Sequence, residues 1–273
     1  MKVAITGATG FLGRYLVSYL LDNLYDVLII TRGEERAKEY LPAGVNVYVT
    51  DYSFESLCEG LKEVETIIHL AAQTMQRDSD PFRVSQFFAV NITMTENLLL
   101  AAKQVGVQKV CQMSSNSVYS SENKIPFNEK DNPIPATIYG VSKVYAEKLG
   151  EYFSYKSEVK VISLRLARLF GYGERSSVVF TKYMNLANDG KLLEVWGEGK
   201  TRIEYLYVKD AVVAIENAVR MDIPNGIYNV GVNRSYSVLE IAKSVNIITG
   251  NTDNLIIDKS KLEGGYHLSL IHI

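Results

Sequence analysis

Val3-Ala4-Ile5-Thr6-Gly7-Ala8-Thr9-Gly10-Phe11-Leu12-Gly13 runs from an apolar stretch through three glycines into a segment of helical periodicity. In that segment Phe11, Tyr15, Leu16, Tyr19 and Leu20 recur at spacings near three and four, which gives one apolar face. A strand, a tight glycine turn and a helix in this order aim the free N–H groups of the helix start, with their partial positive charge, at a pyrophosphate. The spacing is G-x-x-G-x-x-G, one residue longer than the common dinucleotide fingerprint. Its place between a strand and a helix favours a cofactor turn over a merely structural one.

The same alternation continues outward. Short runs rich in Val and Ile stand at residues 3–5, 27–30, 45–49, 66–70, 109–113 and 159–164, and helical patterns fill 11–21, 53–61, 86–105 and 139–155. This predicts an α/β fold, a doubly wound parallel sheet covered by helices on both faces. Beyond Leu164 the pattern loosens into two glycine-rich turns, Gly171-Tyr172-Gly173 and Trp196-Gly197-Glu198-Gly199, around a helix near 178–188. A helix near 208–219 and a strand at 226–231 follow. The expected organisation is a dinucleotide-binding domain over 1–170 with 203–233 returning to it, and a smaller C-terminal substrate lobe from 171–202 and 234–273.

At 273 residues and 47% hydrophobic, the chain can bury a sizeable core, and a net charge of −2 with scattered basic residues argues against nucleic acid or an anionic membrane as partner. No apolar run approaches the roughly 20 residues of a membrane span, and the start of the chain does not read as a secretory signal. Two cysteines, Cys58 and Cys111, fit a reducing, cytoplasmic setting. Three histidines without a Cys/His cluster predict no metal site.

The residue ending the second strand meets the adenosine ribose: a carboxylate suits the free hydroxyls of NAD and a basic residue the 2′-phosphate of NADP. Here Thr31-Arg32 stands, so Arg32 tilts toward NADP, with an exposed loop arginine as the alternative. Asp51 is placed to accept from the adenine amino group, the alternative being a cap for the helix near Ser53. At the end of the fifth strand lies Ser114-Ser115-Asn116-Ser117, and 24 residues after Ser115 comes Tyr139-Gly140-Val141-Ser142-Lys143. A Tyr and a Lys four apart share a helical face, so the ammonium is expected to lower the phenol pKa, as a base near neutral pH requires. Tyr152/Lys156 and Tyr205/Lys209 have the same spacing. Tyr152 falls about 220° around the helix from Tyr139, and only Tyr139 follows a serine at the carboxyl end of a sheet strand.

These motifs together resemble the extended short-chain dehydrogenase/reductases, or NAD-dependent epimerase/dehydratases, over roughly residues 1–232. Residues 6–13 resemble the family's cofactor turn, with Gly7, Thr9, Gly10, Phe11, Leu12 and Gly13 as cofactor contacts. His69-Leu70-Ala71-Ala72 resembles its strand-four motif, placing Leu70, Ala71 and Ala72 beside the dinucleotide. Val90-Asn91 followed by 95–99 resembles its central helix, whose Asn91 helps shape the site, and 205–210 the segment leading back from the sugar lobe. The resemblance implies a Rossmann fold, NAD or NADP as cofactor, Ser115, Tyr139 and Lys143 as catalytic residues with Tyr139 and Lys143 also contacting the cofactor and Lys143 holding its nicotinamide ribose, and a homodimer through the helices at 86–105 and 139–155, the alternative being that the apolar faces of those helices are core.

The departures bear on chemistry. Where members that eliminate water carry an acidic pair after the catalytic serine or threonine, this chain has Asn116-Ser117, which disfavours dehydration. Arg168 replaces an asparagine on the substrate's diphosphate side, and Arg202 stands one residue out of register with a phosphate-holding arginine, so Ser115, Asn116, Arg168 and Arg202 form the expected substrate set. The segment 266–270 resembles the beginning of a longer ending, which implies a truncated C-terminus. The leading expectation is a UDP-sugar 4-epimerase working by transient oxidation to a keto-sugar. An NADPH-dependent reductase of a 4-keto nucleotide sugar comes second, and a non-catalytic NAD(P)-sensing regulator is the alternative of another class.

Overall fold

A computed structural model describes residues 1–75, 80, 82–174 and 179–262. In chain order the first half runs β1 (Lys2–Thr6), α1 (Phe11–Asp22), β2 (Asp26–Thr31), α2 (Glu34–Tyr40), β3 (Asn46–Val49), α3 (Phe54–Gly60), β4 (Thr66–His69) and α4 (Val84–Phe87). A π turn (Phe88–Thr93) joins α4 to α5 (Met94–Val105), and β5 (Lys109–Ser115), a 3-10 turn (Asn116–Val118), α6 (Ile138–Lys156) and β6 (Lys160–Leu166) follow. The remainder is β7 (Arg168–Phe170), α7 (Val179–Asn188), β8 (Leu193–Trp196), β9 (Arg202–Tyr207), α8 (Val208–Arg220), β10 (Gly226–Val230), β11 (Ser235–Ser237), α9 (Val238–Thr249) and β12 (Leu255–Asp258).

Seven strands form one sheet in the order β10-β6-β5-β4-β1-β2-β3, every neighbouring pair parallel. Parallel strands need covered crossovers, and the side-chain period of two sends successive residues to opposite layers. Val3 and Ile5 pack with Leu16 and Leu20 of α1 and Val212 and Ile215 of α8. Ala4 packs instead with Leu57 of α3, Leu98 of α5 and Phe153 of α6. The order reverses between β1 and β4, and the crevice at the carboxyl ends of such strands is where ligands bind in open sheets.

A smaller assembly holds a three-stranded sheet, β11-β9-β7, and the pair β12-β8, around Tyr183, Leu193, Val195, Tyr205, Ile241 and Val245. The structure moves two expected boundaries. β7 and β9 pair with each other, so the central sheet ends at Leu166 and the return to it begins with α8 at Val208 instead of residue 203. The helix expected over 86–105 is interrupted by the π turn, which holds Asn91. Asn91 in that turn donates to Ser142 Oγ of α6, and its carbonyl oxygen accepts from the Thr95 hydroxyl of α5. Residue 178 of the expected 178–188 helix, and residues 263–273 of the expected lobe, lie outside the described residues.

Candidate active site

The glycine turn sits at the carboxyl end of β1. Gly7 has φ +71°, a left-handed conformation, and a Cβ there would lie 2.5 Å from the backbone nitrogen of Ala71. The turn therefore approaches the segment after β4 as only glycine can. A Cβ on Gly13 would lie 2.5 Å from the carbonyl oxygens of Gly7 and Ala8, so α1 packs onto its own entry turn. Gly10 begins α1 without a side-chain cap, and no acidic residue occupies the first turn. The N–H groups at Phe11 and Leu12 are thus left for an anion. Thr9 is half-buried in this turn, as are Leu70, Ala71 and Ala72 across from it. Thr6 joins the two segments: its hydroxyl lies 2.7 Å from His69 Nδ1 and accepts from the Ala71 N–H at 3.3 Å. The turn thus sets backbone N–H donors at the carboxyl end of β1, the chemistry a phosphate takes.

Arg32 is exposed directly after β2, and the hydroxyl of Thr31 accepts from the N–H of Gly33 at 3.4 Å. Asp51 Oδ1 accepts from the N–H of Ser53 at 2.8 Å and from its hydroxyl at 2.6 Å. These bonds hold its carboxyl below the usual range. Ser53 in turn caps α3, so one oxygen of Asp51 serves the helix start.

At the end of β5, Ser115 Oγ accepts from the Ser117 N–H at 3.1 Å, capping the 3-10 turn, and stands on the Tyr139 phenol's side, where it favours the ionised form. Tyr139 occupies the first turn of α6, which Thr137 caps by accepting from Gly140 N at 3.1 Å. A Cβ on Gly140 would run into the carbonyl oxygen of Ser117. The missing side chain lets α6 close on the serine turn, a constraint that sequence reading passed over. Lys143 is buried, donates to the Met113 carbonyl oxygen at 2.7 Å, and lies 5.7 Å from the Tyr139 ring centroid. Of the rival pairs, Tyr152 is exposed and Tyr205 belongs to the small core.

The electrostatics correct one expectation. Burial pushes the Tyr139 phenol up to about 12, the Ser115 hydrogen bond only partly opposing it. Burial also lowers Lys143 to about 8, against the pull of Glu147. The ammonium, turned to Met113, does not depress the phenol. Desolvation outweighs the charge. His69 is lowered to about 3 by burial and the Lys143 charge.

Other expected residues take different parts. Asn91 spends its amide on the backbone of Gln73, accepting at 2.7 Å and donating at 2.9 Å, and on Ser142 Oγ at 2.9 Å. It braces the site. Arg202 donates to Ser235 Oγ at 3.1 Å and pairs with Glu240 at 3.3 Å, so β11 and α9 engage it, contrary to a free phosphate clamp. Arg168 is exposed on β7 opposite Tyr205, in the small sheet, while Asn116 is buried in the 3-10 turn. Among the described residues no His/Cys/Asp/Glu group has the makings of a metal site. No described helix is long and apolar enough to cross a membrane.

The family described as "NAD dependent epimerase/dehydratase family" matches residues 3–231. A UDP-N-acetylglucosamine 4-epimerase from Bacillus cereus superposes with a TM-score of 0.87 at 29% identity, over 99% of this chain and 89% of that one. The enzyme MoeE5, solved with UDP-glucuronic acid and NAD, superposes at 0.84 with 27% identity over 99% and 90%. The dTDP-D-glucose 4,6-dehydratase of Mus musculus is 26% identical over 89% of this chain and 72% of its own.

Proposed function

Because the chain belongs to the NAD-dependent epimerase/dehydratase family, we propose that it is a UDP-sugar 4-epimerase that oxidises its substrate transiently to a keto-sugar. The observation that carries this is the placement of Ser115, at the carboxyl end of β5, where it favours the ionised form of the Tyr139 phenol, with no carboxylate in the Asn116-Ser117 turn beside it. Dehydration needs a further acid and base at that turn. Here the Ser117 hydroxyl is 3.1 Å from Ser115 Oγ.

The glycine turn, Leu70, Ala71 and Ala72 would hold the dinucleotide, and Arg32 and Asp51 its adenosine end. When bound, the nicotinamide supplies the acceptor that takes a hydride from the sugar and gives it back. As the phenolate, Tyr139 would take the proton of the sugar hydroxyl and return it after the keto-sugar has turned over. Ser115 hydrogen-bonds the same oxygen, and Lys143 supplies positive charge behind the phenol. Arg168 is the remaining candidate for the substrate's diphosphate. Exposed Val84, Phe88, Val141, Tyr145 and Tyr152 on the adjacent helices favour pairing with a second copy.

A second reading, reduction of a 4-keto nucleotide sugar by NADPH, is favoured by exposed Arg32. The deciding experiment identifies the nucleotide released on denaturation and then supplies UDP-sugars. Bound NAD, with sugar interconversion and no net change in reduced nicotinamide, supports the epimerase. Consumption of NADPH by a keto-sugar alone supports the reductase. Failure to bind either dinucleotide overturns both.

A further inference from the structure

Beneath this site lies a buried charged network that the proposed chemistry does not use. Glu147 follows Lys143 by one turn of α6 and Tyr139 by two, and its side chain is 1% exposed; that of its partner Arg165, on β6, is 2% exposed. Arg165 grips the carboxylate twice, Nε donating to Oε1 at 2.9 Å and Nη2 to Oε2 at 2.7 Å. Ser114, adjacent to Ser115, donates to the same Oε1 at 2.5 Å. The remaining guanidinium nitrogen donates to the Tyr119 hydroxyl at 2.6 Å, which also reaches the Asn128 carbonyl and Asn229 amide oxygens at 3.0 and 3.1 Å.

Burying two charges is costly, and apolar residues of similar volume commonly hold a fold as well or better. Packing alone therefore does not account for the pair. Its location does: one carboxylate ties the helix bearing Tyr139 and Lys143 to the residue beside Ser115, and its charge stands one turn from the ammonium. We propose that Glu147 is a positioning residue that sets the spacing of Ser115 to Tyr139 through Ser114 and keeps Lys143 protonated through its charge. The kinetic part of this rests on the epimerase reading; the effect on Lys143 does not.

The other groups facing Lys143 do not supply that charge. Tyr139 on the same helix is held protonated by burial, and His69 from β4 is held neutral. Removing the Glu147 carboxylate leaves burial unopposed to push the ammonium down further from about 8. Lys143 then loses its proton at lower pH, and the alkaline limb of turnover follows it.

The test follows the Lys143 titration by NMR of 13Cε-labelled lysine in the purified full chain, assigned with Lys143→Arg, beside the kcat–pH profile. Glu147→Gln is made alone and with Arg165→Met, so that one comparison lacks a stranded arginine. The expected result is a midpoint lower by about one pH unit, with the alkaline limb displaced equally. Glu147→Asp, which keeps the charge and shortens the tether, should restore the midpoint while kcat stays reduced. An unchanged midpoint in folded Glu147→Gln/Arg165→Met, with only a lower Tm, overturns the proposal and leaves the pair structural. A displaced midpoint in a protein that turns over no UDP-sugar supports the Lys143 part while sinking the epimerase reading.

Discussion

The ammonium of Lys143 is fixed on the carbonyl oxygen of Met113, 2.7 Å away, and stands 5.7 Å from the centre of the Tyr139 ring. The lysine is thus held by β5 and faces the phenol from behind. With the phenol at about 12, only about one molecule in 10⁵ carries phenolate at pH 7. A cationic nicotinamide favours the anion, so ultraviolet difference titration should show one tyrosine, absent in Tyr139→Phe, titrating at least about one unit lower with NAD⁺ than without. An unchanged titration would count against Tyr139 as the proton-transfer group.

Tyr139→Phe keeps the ring at the start of α6 and removes the hydroxyl whose ionised form Ser115 favours. Turnover should fall by about 10²- to 10⁴-fold, the usual worth of positioned acid–base catalysis. Calorimetric NAD affinity should stay within a few fold. Near-normal turnover in this variant would remove the assigned role.

Gly13 and Gly33 should respond oppositely to alanine. At Gly13 the new Cβ meets two carbonyl oxygens at 2.5 Å, whereas at Gly33 nothing lies within 4 Å, and Gly33 has φ −153°. Gly13→Ala should cost about 1–3 kcal/mol of stability and, by shifting the turn, weaken dinucleotide binding about tenfold or more. Gly33→Ala should stay within about 0.5 kcal/mol. Urea melts and binding isotherms of both variants check the contrast.

His69 makes the fold acid-sensitive. Its folded pKa of about 3 lies below the unfolded value, so its stabilisation is complete above about pH 6.5 and is lost as pH falls toward 3. Between pH 6.5 and 5 that loss is about 2 kcal/mol. Urea melts of His69→Gln at pH 7 and pH 5 should show a difference smaller than wild type by this amount. Equal differences would mean that the imidazole is not held neutral.

Arg32 governs the choice between the two dinucleotides if it meets the adenosine ribose. Arg32→Ala should weaken NADPH binding about tenfold or more while leaving NAD affinity near wild type, since only a 2′-phosphate offers it a charge partner. Equal losses for both, or none, would return Arg32 to an ordinary surface role.

All seven strands of the central sheet were legible, β1, β2, β4, β5 and β6 as largely buried apolar runs set between turns, and β3 and β10 by their place in the alternation although they bury one residue at most. α2 was not, since only Ala37 of its seven residues is buried and no apolar face marks it. α9 carried a readable signal, the capping box of Ser237 and Glu240 ahead of Ile241, Ala242 and Val245, but it falls after the recognisable motifs end. Strands β7 to β9, β11 and β12 are three to six residues long, too short for periodicity to separate them from loops. The grouping of Ser115, Tyr139 and Lys143 was legible from spacing and context. Their ionisation was not, because it depends on burial and on the Met113 carbonyl. The Glu147–Arg165 pair is hidden for the same reason: its partners are set by the fold, although a charged residue amid the apolar run of β6 was a visible signal.

The chain leaves the central sheet after β6, builds β7 through β9, comes back for α8 and β10, and leaves again for β11 through β12. Two separated stretches of gene therefore encode the smaller lobe, with part of the larger one spelled out between them. No single cut excises that lobe and no single splice grafts another in its place. Within this architecture change has to arrive residue by residue, by substitution in lobes that must go on folding together, and not by exchange of a ready-made cassette.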